Sequence, residues 1–226
     1  MSPYAYSLLN FYTSSILSYS LLAIAAIIGL IRFKKTSMVF LPFLLFLWLG
    51  LTNEVVSTIT GKIIRNTAIN NNIYVLLESC LIAWQFQRWG LFKDQKKLFP
   101  ILLVAFGTVW TVETLIIYKI TAVSSYFRIF YSFVVVLMSI NMINSLIVNE
   151  SRSLLKNAAF LICIGFIIFF TYKILVEIFW VYGLNGSKEF RSNVYSILKL
   201  INLFCNLIYA LAALWVPRKQ IFIMPS

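Results

Sequence analysis

The chain has 226 residues, of which 61% are hydrophobic and only 12% charged, with a mean hydropathy of +0.90. This composition excludes an ordinary soluble domain and predicts an integral membrane protein. The formal net charge of +12 comes from basic residues spread over several loops, which indicates membrane topology and attraction to anionic lipid headgroups. Because these residues form no single basic patch, nucleic acid is not predicted as a partner.

Seven hydrophobic stretches are long enough to cross a bilayer as helices, which requires about 17 to 25 residues each. They lie near residues 11–31, 38–58, 73–91, 100–118, 126–148, 157–181 and 193–216. Their apolar runs do not alternate with polar residues, so they are not the strands of a transmembrane barrel. We therefore predict an all-α integral membrane protein with a single seven-helix transmembrane domain over residues 1–226.

The distribution of basic residues over the short loops predicts the orientation. Eleven of the 19 Lys and Arg residues fall on the side of the C-terminus, six on the opposite side and two within spans. Cytoplasmic loops carry the excess of positive charge, so the N-terminus is predicted outside and the C-terminus in the cytoplasm. The expected location is the cell membrane, either a plasma membrane or a bacterial inner membrane.

Six ionisable residues lie within the predicted spans, all at a similar depth in the outer half of the bilayer. They are Glu54, Glu78, Glu113, Lys173, Glu177 and Lys199. A charged group near the bilayer centre costs about 2.5 to 3.5 kcal/mol, so such groups usually face a bundle interior or a wet cavity and mark function. The alternative is that these charges only hold the helices together.

Charge pairing within this layer suggests what the site binds. Lys173 and Glu177 are four residues apart on one helix face, which predicts an ion pair between them. If Lys199 pairs with one of the other three carboxylates, two carboxylates are left without a basic partner. Unpaired carboxylates in a low dielectric take up a proton or bind a cation. The site is therefore expected to bind a cationic or amine-bearing solute, or a proton.

Two of the predicted spans carry a polar face, because their polar residues recur at helical spacing. On the seventh span the face consists of Tyr195, Lys199, Asn202, Asn206 and Tyr209. On the third span it consists of Asn71, Tyr74, Glu78, Gln85 and Arg88. The faces either line a solute path or form interhelical hydrogen bonds. Tyr74, Tyr195 and Asn202 join the six charged residues as predicted ligand-binding residues.

The two halves of the chain carry a similar segment. Residues 72–78 and 193–199 share the pattern N-[IV]-Y-x-[LI]-L-[EK] at an offset of 121 residues. This suggests parallel repeats of three helices joined by the fourth helix. The layout is similar to that of small sugar and vitamin carriers, whose solute lies at the repeat interface.

The function predicted from these features is binding and transport of a small polar or cationic solute, with proton coupling as one form. The alternative is a seven-helix receptor or sensor that signals through a separate membrane protein. Partners are therefore the lipid bilayer, the solute or proton, and a membrane partner protein or a second copy of the chain.

Catalysis, metals and cofactors are not predicted. The sequence has no nucleophile and base pair, no histidine for a zinc site and no phosphate-binding glycine loop. Seven helices with Lys199 and Glu78 resemble a microbial rhodopsin in outline. The acidic residue that this family has four positions before the lysine is replaced by Tyr195, so retinal is not predicted either.

Overall fold

The computed structural model describes residues 23–32, 37–149, 154–183 and 187–217, and every regular element in them is helical. The α-helices are α1 (Ala23–Arg32), α2 (Leu41–Ile63), α3 (Ala68–Arg88), α4 (Leu98–Thr111), α5 (Ser125–Asn149), α6 (Ala158–Val181) and α7 (Lys188–Trp215). Short 3-10 turns at Met38–Phe40 and Leu154–Lys156 precede α2 and α6, and α4 continues into a π-helical turn at Val112–Ile117. The all-α prediction is confirmed for the described residues.

Five of these helical segments are long and apolar enough to cross a membrane, so the fold is compatible with a helical membrane protein. They are Met38–Ile63, Leu98–Ile117, Ser125–Val148, Ala158–Val181 and Ser196–Trp215. Of the predicted first span, residues 11–22 lie outside the described residues, and α1 has only ten described residues. Helix α3 is long enough, but its asparagines and glutamines lower its hydropathy. The count of seven spans therefore stays a prediction.

The surface of the described bundle is apolar while several of its buried side chains are polar. Ile63, Ile116 and Val148 are 76%, 72% and 83% exposed. By contrast, Glu78 and Gln85 are each only 1% exposed. A soluble protein rarely exposes so many large apolar side chains, whereas hydrocarbon solvates them and leaves polar groups to be satisfied inside the protein.

Helix α3 packs against α2, α4 and α5, and its polar residues hold the ends of its neighbours. The amide of Gln85 accepts from the Phe43 N–H at 2.8 Å and donates to the Val39 carbonyl at 2.8 Å. Phe43 lies in the first turn of α2, where backbone N–H groups lack partners within the helix. Gln85 therefore closes the start of α2 and forms the interhelical hydrogen bonds that were the alternative to a solute path.

Asn72 holds the loop between α4 and α5. Its amide donates to the carbonyls of Ile120 and Ala122, at 3.0 and 2.7 Å, and its oxygen accepts from the Ser124 hydroxyl at 2.9 Å. Helix α3 begins at Ala68, five residues before the predicted start at residue 73. Asn70 to Asn72 are part of the helix because neighbouring segments satisfy their side chains. The prediction was late because the hydropathy pattern marks only where the apolar stretch begins.

Two contacts join α1 to the rest of the bundle, one to the end of α7 and one to α2. The Arg32 guanidinium donates to the carbonyls of Ala213, at 2.9 Å, of Leu214, and of Val216, at 3.3 Å. These carbonyls lie at or just beyond the last turn of α7, where no N–H group of the helix donates to them. At Gly29 a side chain would meet Leu44 at 2.8 Å, so the glycine permits the close approach of α1 to α2.

We expect Gln85→Leu to lower the thermal stability of the purified protein in detergent. The substitution leaves the Phe43 N–H and the Val39 carbonyl without their partner, at about 1 to 3 kcal/mol for each orphaned group. Gln87→Leu, at an exposed position of the same helix, is the control. Equal melting temperatures for the two variants would contradict the capping role of Gln85.

Candidate functional site

Glu78 is the most enclosed charged side chain among the described residues, and three groups surround its carboxylate. The Tyr74 hydroxyl donates to Oε1 at 2.8 Å, and the Tyr131 hydroxyl donates to Oε2 at 2.5 Å. Lys173 Nζ lies 3.1 Å from Oε2 and forms a salt bridge with it. Donors from α3, α5 and α6 thus meet on one carboxylate. Because α3 begins at Ala68, Glu78 lies near mid-helix, deeper along α3 than the sequence suggested.

Lys173 is held by aromatic side chains as well as by the ion pair. Its ammonium also donates to the Tyr131 hydroxyl. It lies 5.0, 5.3 and 5.5 Å from the ring centroids of Tyr131, Phe170 and Phe169. Contacts between a cation and aromatic rings offset part of the lost hydration of a buried ammonium group. The lysine is thus stabilised in a site with little access to water.

The ion pair predicted between Lys173 and Glu177 is replaced by two pairs across helices. Lys173 pairs with Glu78, and Arg128 Nη1 lies 3.2 Å from Glu177 Oε1. Arg128 lies in the first turn of α5, whereas the sequence analysis counted it among the residues of the outer loops.

Glu113 closes the N-terminus of α5. Its carboxylate accepts from the backbone N–H groups of Tyr126, at 2.9 Å, and Phe127, at 2.5 Å. Both N–H groups belong to the first turn of α5, where a negative charge is favourable. This predicted ligand-binding residue therefore has a structural partner for each of its oxygens.

Two cavities lie on either side of the Glu78 and Lys173 pair. The narrow cavity has a volume of about 90 Å³, enough for a few water molecules. Its oxygen-bearing walls are Asn53, Glu54, Tyr74, Glu78, Asn202, Asn206 and Tyr209. The wide cavity has a volume of about 410 Å³. Its polar walls are Thr67, Asn71, Arg128, Lys173 and Glu177. Phe169 lines both cavities, so this ring and the ion pair separate them.

Several other predicted site residues are distributed unevenly around these cavities. Glu54, Tyr74 and Asn202 line the narrow cavity together with Glu78. Lys199 is half-buried on α7 and is not a wall of either cavity. The side chain of Tyr195 lies outside the described residues.

The two segments of the suggested repeat differ in their surroundings. Asn72 is buried and holds a loop, whereas its counterpart Asn193 is exposed. The matching residues therefore have different roles at this position.

Each cavity has a wall residue with a buried polar atom that has no hydrogen-bond partner in the described part of the chain. For the narrow cavity it is the hydroxyl of Tyr209, and for the wide cavity it is Nε of Arg128. Most buried polar groups in proteins are hydrogen-bonded. Tyr209 is positioned by Gly165, since a side chain there would meet the tyrosine ring at 2.5 Å.

Tyr131 and Arg128 are the two important residues that the sequence did not reveal. A tyrosine in an apolar span carries no charge and does not interrupt the hydropathy, and the arginine was counted as a loop residue. One signal was available, because the two are three positions apart and so lie on one face of a helix. The predicted fifth span of residues 126–148 already contains both residues, so that face could have been directed toward the charged layer.

Comparisons with protein-family models, with curated proteins and with solved structures gave no match. The two cavities and the side chains between them are therefore the basis for a functional proposal.

We expect Glu78→Gln and Lys173→Met to destabilise the protein singly, each by about 3 to 5 kcal/mol, because each leaves the other charge buried. The double variant should be more stable than the sum of the single effects predicts, with a coupling of at least about 1 kcal/mol. Thermal unfolding in detergent measures all three variants. Lys62→Met, at an exposed lysine, is the control, and additive effects would contradict a direct pair.

Proposed function

We propose that this protein is a small membrane-embedded carrier for a small polar solute. The observation that supports this most is the position of the Glu78 and Lys173 pair between two polar cavities, with Phe169 as a wall of both. We call these three residues the ion-pair barrier. A bundle that only needed stability would fill this space with apolar side chains, since a buried ion pair is weak evidence for stability.

The chemistry of the barrier supports controlled opening. Separating Glu78 from Lys173 in a low dielectric is costly unless another group takes the place of the lost partner. A solute with its own charge, or a proton on the carboxylate, can do this. The hydroxyls of Tyr74 and Tyr131 stay on Glu78 when the ammonium moves, because they belong to α3 and α5, whereas Lys173 belongs to α6. Solute or proton binding would thus favour the opened barrier.

We assign a second barrier to aromatic rings of α2, α6 and α7 at the wall of the narrow cavity, which Phe46 and Tyr209 line. Phe46, Phe166 and Tyr209 pack together with centroid separations of 5.6 to 5.9 Å. A carrier alternates between one barrier and the other. The same packing also supports the second candidate function, a receptor that binds a ligand in the wide cavity and signals through a partner protein without letting the ligand pass.

Fewer carboxylates are left to bind a cationic solute than the sequence suggested. Glu177 is paired with Arg128, and Glu113 holds the start of α5, so neither counts as a surplus carboxylate. The proposal of proton coupling rests on Glu78, whose carboxylate lines the narrow cavity and forms the barrier. We keep this coupling as part of the carrier proposal.

We further propose seven spans with the N-terminus outside and the C-terminus in the cytoplasm, in a plasma or inner membrane. The wide cavity then opens toward the outside, because α3 and α5 begin and α6 ends there. The test uses single cysteines in a background that lacks Cys80, Cys163 and Cys205. An impermeant maleimide should label Ile64→Cys in intact cells and Asp94→Cys only after permeabilisation. The reverse pattern would overturn the orientation.

The carrier proposal is tested by uptake into proteoliposomes under an imposed pH gradient, with amines, sugars, nucleosides and carboxylates offered in turn. We expect accumulation of one of these solutes, and at least about tenfold slower uptake for Glu78→Gln, since the lost interaction exceeds about 1.4 kcal/mol. Asp94→Asn, at an exposed loop residue, is the control.

Two other outcomes of this experiment point away from a carrier. A solute that binds and raises the melting temperature but does not cross the membrane would favour the receptor. If nothing binds and Glu78→Gln only lowers stability, the charged residues are structural and both functions fail.

A further inference from the structure

The wide cavity has the size and walls of a binding site for a small organic molecule. Its volume of about 410 Å³ falls in the range of about 300 to 1,000 Å³ that is typical of such sites. Val123, Val176, Leu198, Phe169 and Trp180 provide apolar walls. Polar side chains are few and converge from α3, α5 and α6. The expected ligand therefore combines an apolar body with one polar group.

Arg128 determines which polar group that is. Its Nη1 is engaged by Glu177 at 3.2 Å, while its Nε is buried and has no acceptor in the described part of the chain. The guanidinium group is a planar, permanent cation whose edges match the two oxygens of a carboxylate. Since Nη1 is held by Glu177, the guanidinium is fixed in orientation, and its remaining N–H groups are left for another acceptor.

The neighbouring charges also favour a monoanion. Lys173 adds a second positive charge to the wall, and Glu177 adds one negative charge. Arg128 and Lys173 exceed Glu177 by one positive charge, and the carboxylate of Glu78, 3.1 Å from Lys173, balances that charge while the pair is closed. A single carboxylate that takes the place of Glu78 beside Lys173 keeps this balance, whereas the repulsion from Glu177 disfavours a doubly charged phosphate.

We propose that the wide cavity binds a small organic carboxylate, with the guanidinium group of Arg128 as its hydrogen-bond donor and the apolar walls around its body. The role of this molecule as transported solute rests on the proposed function, but its binding does not. The carboxylate would also compete with Glu78 for the ammonium of Lys173, which connects binding to opening of the ion-pair barrier.

The test compares three molecules that share one ring and differ in charge: benzoate, benzamide and benzylamine. Each is added to the purified full chain in detergent, and the shift of the melting temperature is measured against sodium chloride at equal ionic strength. We expect benzoate to stabilise the protein in a saturable manner and the other two to have no such effect. Stabilisation by benzylamine but not benzoate, by inorganic phosphate more than benzoate, or by none of them would overturn the proposal.

Two variants give opposite expected results. Glu177→Gln removes the acceptor that competes for the guanidinium, so benzoate should bind more tightly to it than to the parent protein. Arg128→Gln should abolish the shift caused by benzoate, and if this variant does not fold, the result for Glu177→Gln still decides. Weaker binding of benzoate to Glu177→Gln would contradict the proposal, because it would make the glutamate part of a cation site.

Arg88→Gln is the matched control. Arg88 lies at the other end of α3, where its guanidinium is 5.7 Å from the Trp84 ring centroid. Its replacement should leave the benzoate shift unchanged. Binding without uptake of benzoate into proteoliposomes would refute the carrier and keep this inference. Uptake of an amine or a sugar with no response to any carboxylate would keep the carrier and refute this inference.

Discussion

The carboxylate of Glu78 is the group on which the arrangement of the bundle depends. A charge at mid-helix in an apolar environment is tolerated only when donors are fixed around it. Here the donors come from three helices, α3, α5 and α6, so satisfying the carboxylate also sets the distances among those helices. The same contacts place Lys173 among aromatic rings and define the boundary between the two cavities. A structural requirement and a candidate functional feature thus have one origin.

The sequence located the costly groups well, because a charge in a long apolar stretch is conspicuous whatever the fold. It could not assign their partners, since pairing across helices depends on how the helices rotate and pack. The spacing of Lys173 and Glu177 is right for an intrahelical pair, yet each side chain has a partner on another helix. The partners of Glu113 could not be assigned for a different reason. Its role depends on the helix that begins twelve residues later, which the composition around the glutamate does not reveal.

The helices themselves were largely predictable from hydropathy, within a few residues at most ends. The start of α3, the end of α2 and the start of α7 each differ by five residues from the predicted spans. At α3 the reason is that the asparagines at its beginning look like a loop. Within the bundle their amides bond to neighbouring helices and loops, as Asn70 does with Asn53 at 2.7 Å. The polar face of α3 accordingly has a divided role. Gln85 is a structural cap, whereas Tyr74 and Glu78 line a cavity.

Two cavities are separated here by an ion pair and not by apolar side chains alone. The physical difference between the two favours a barrier that can open over a permanent plug. An apolar plug is indifferent to charge, so a charged solute on one side cannot change its stability. An ion pair responds to any group that competes for one of its members, and the response is strong because little water screens it. In this bundle one member faces each cavity: Glu78 the narrow one and Lys173 the wide one. A cation or proton on one side and an anion on the other would therefore weaken the same contact, which provides a direct physical route for coupling two ligands through a single pair.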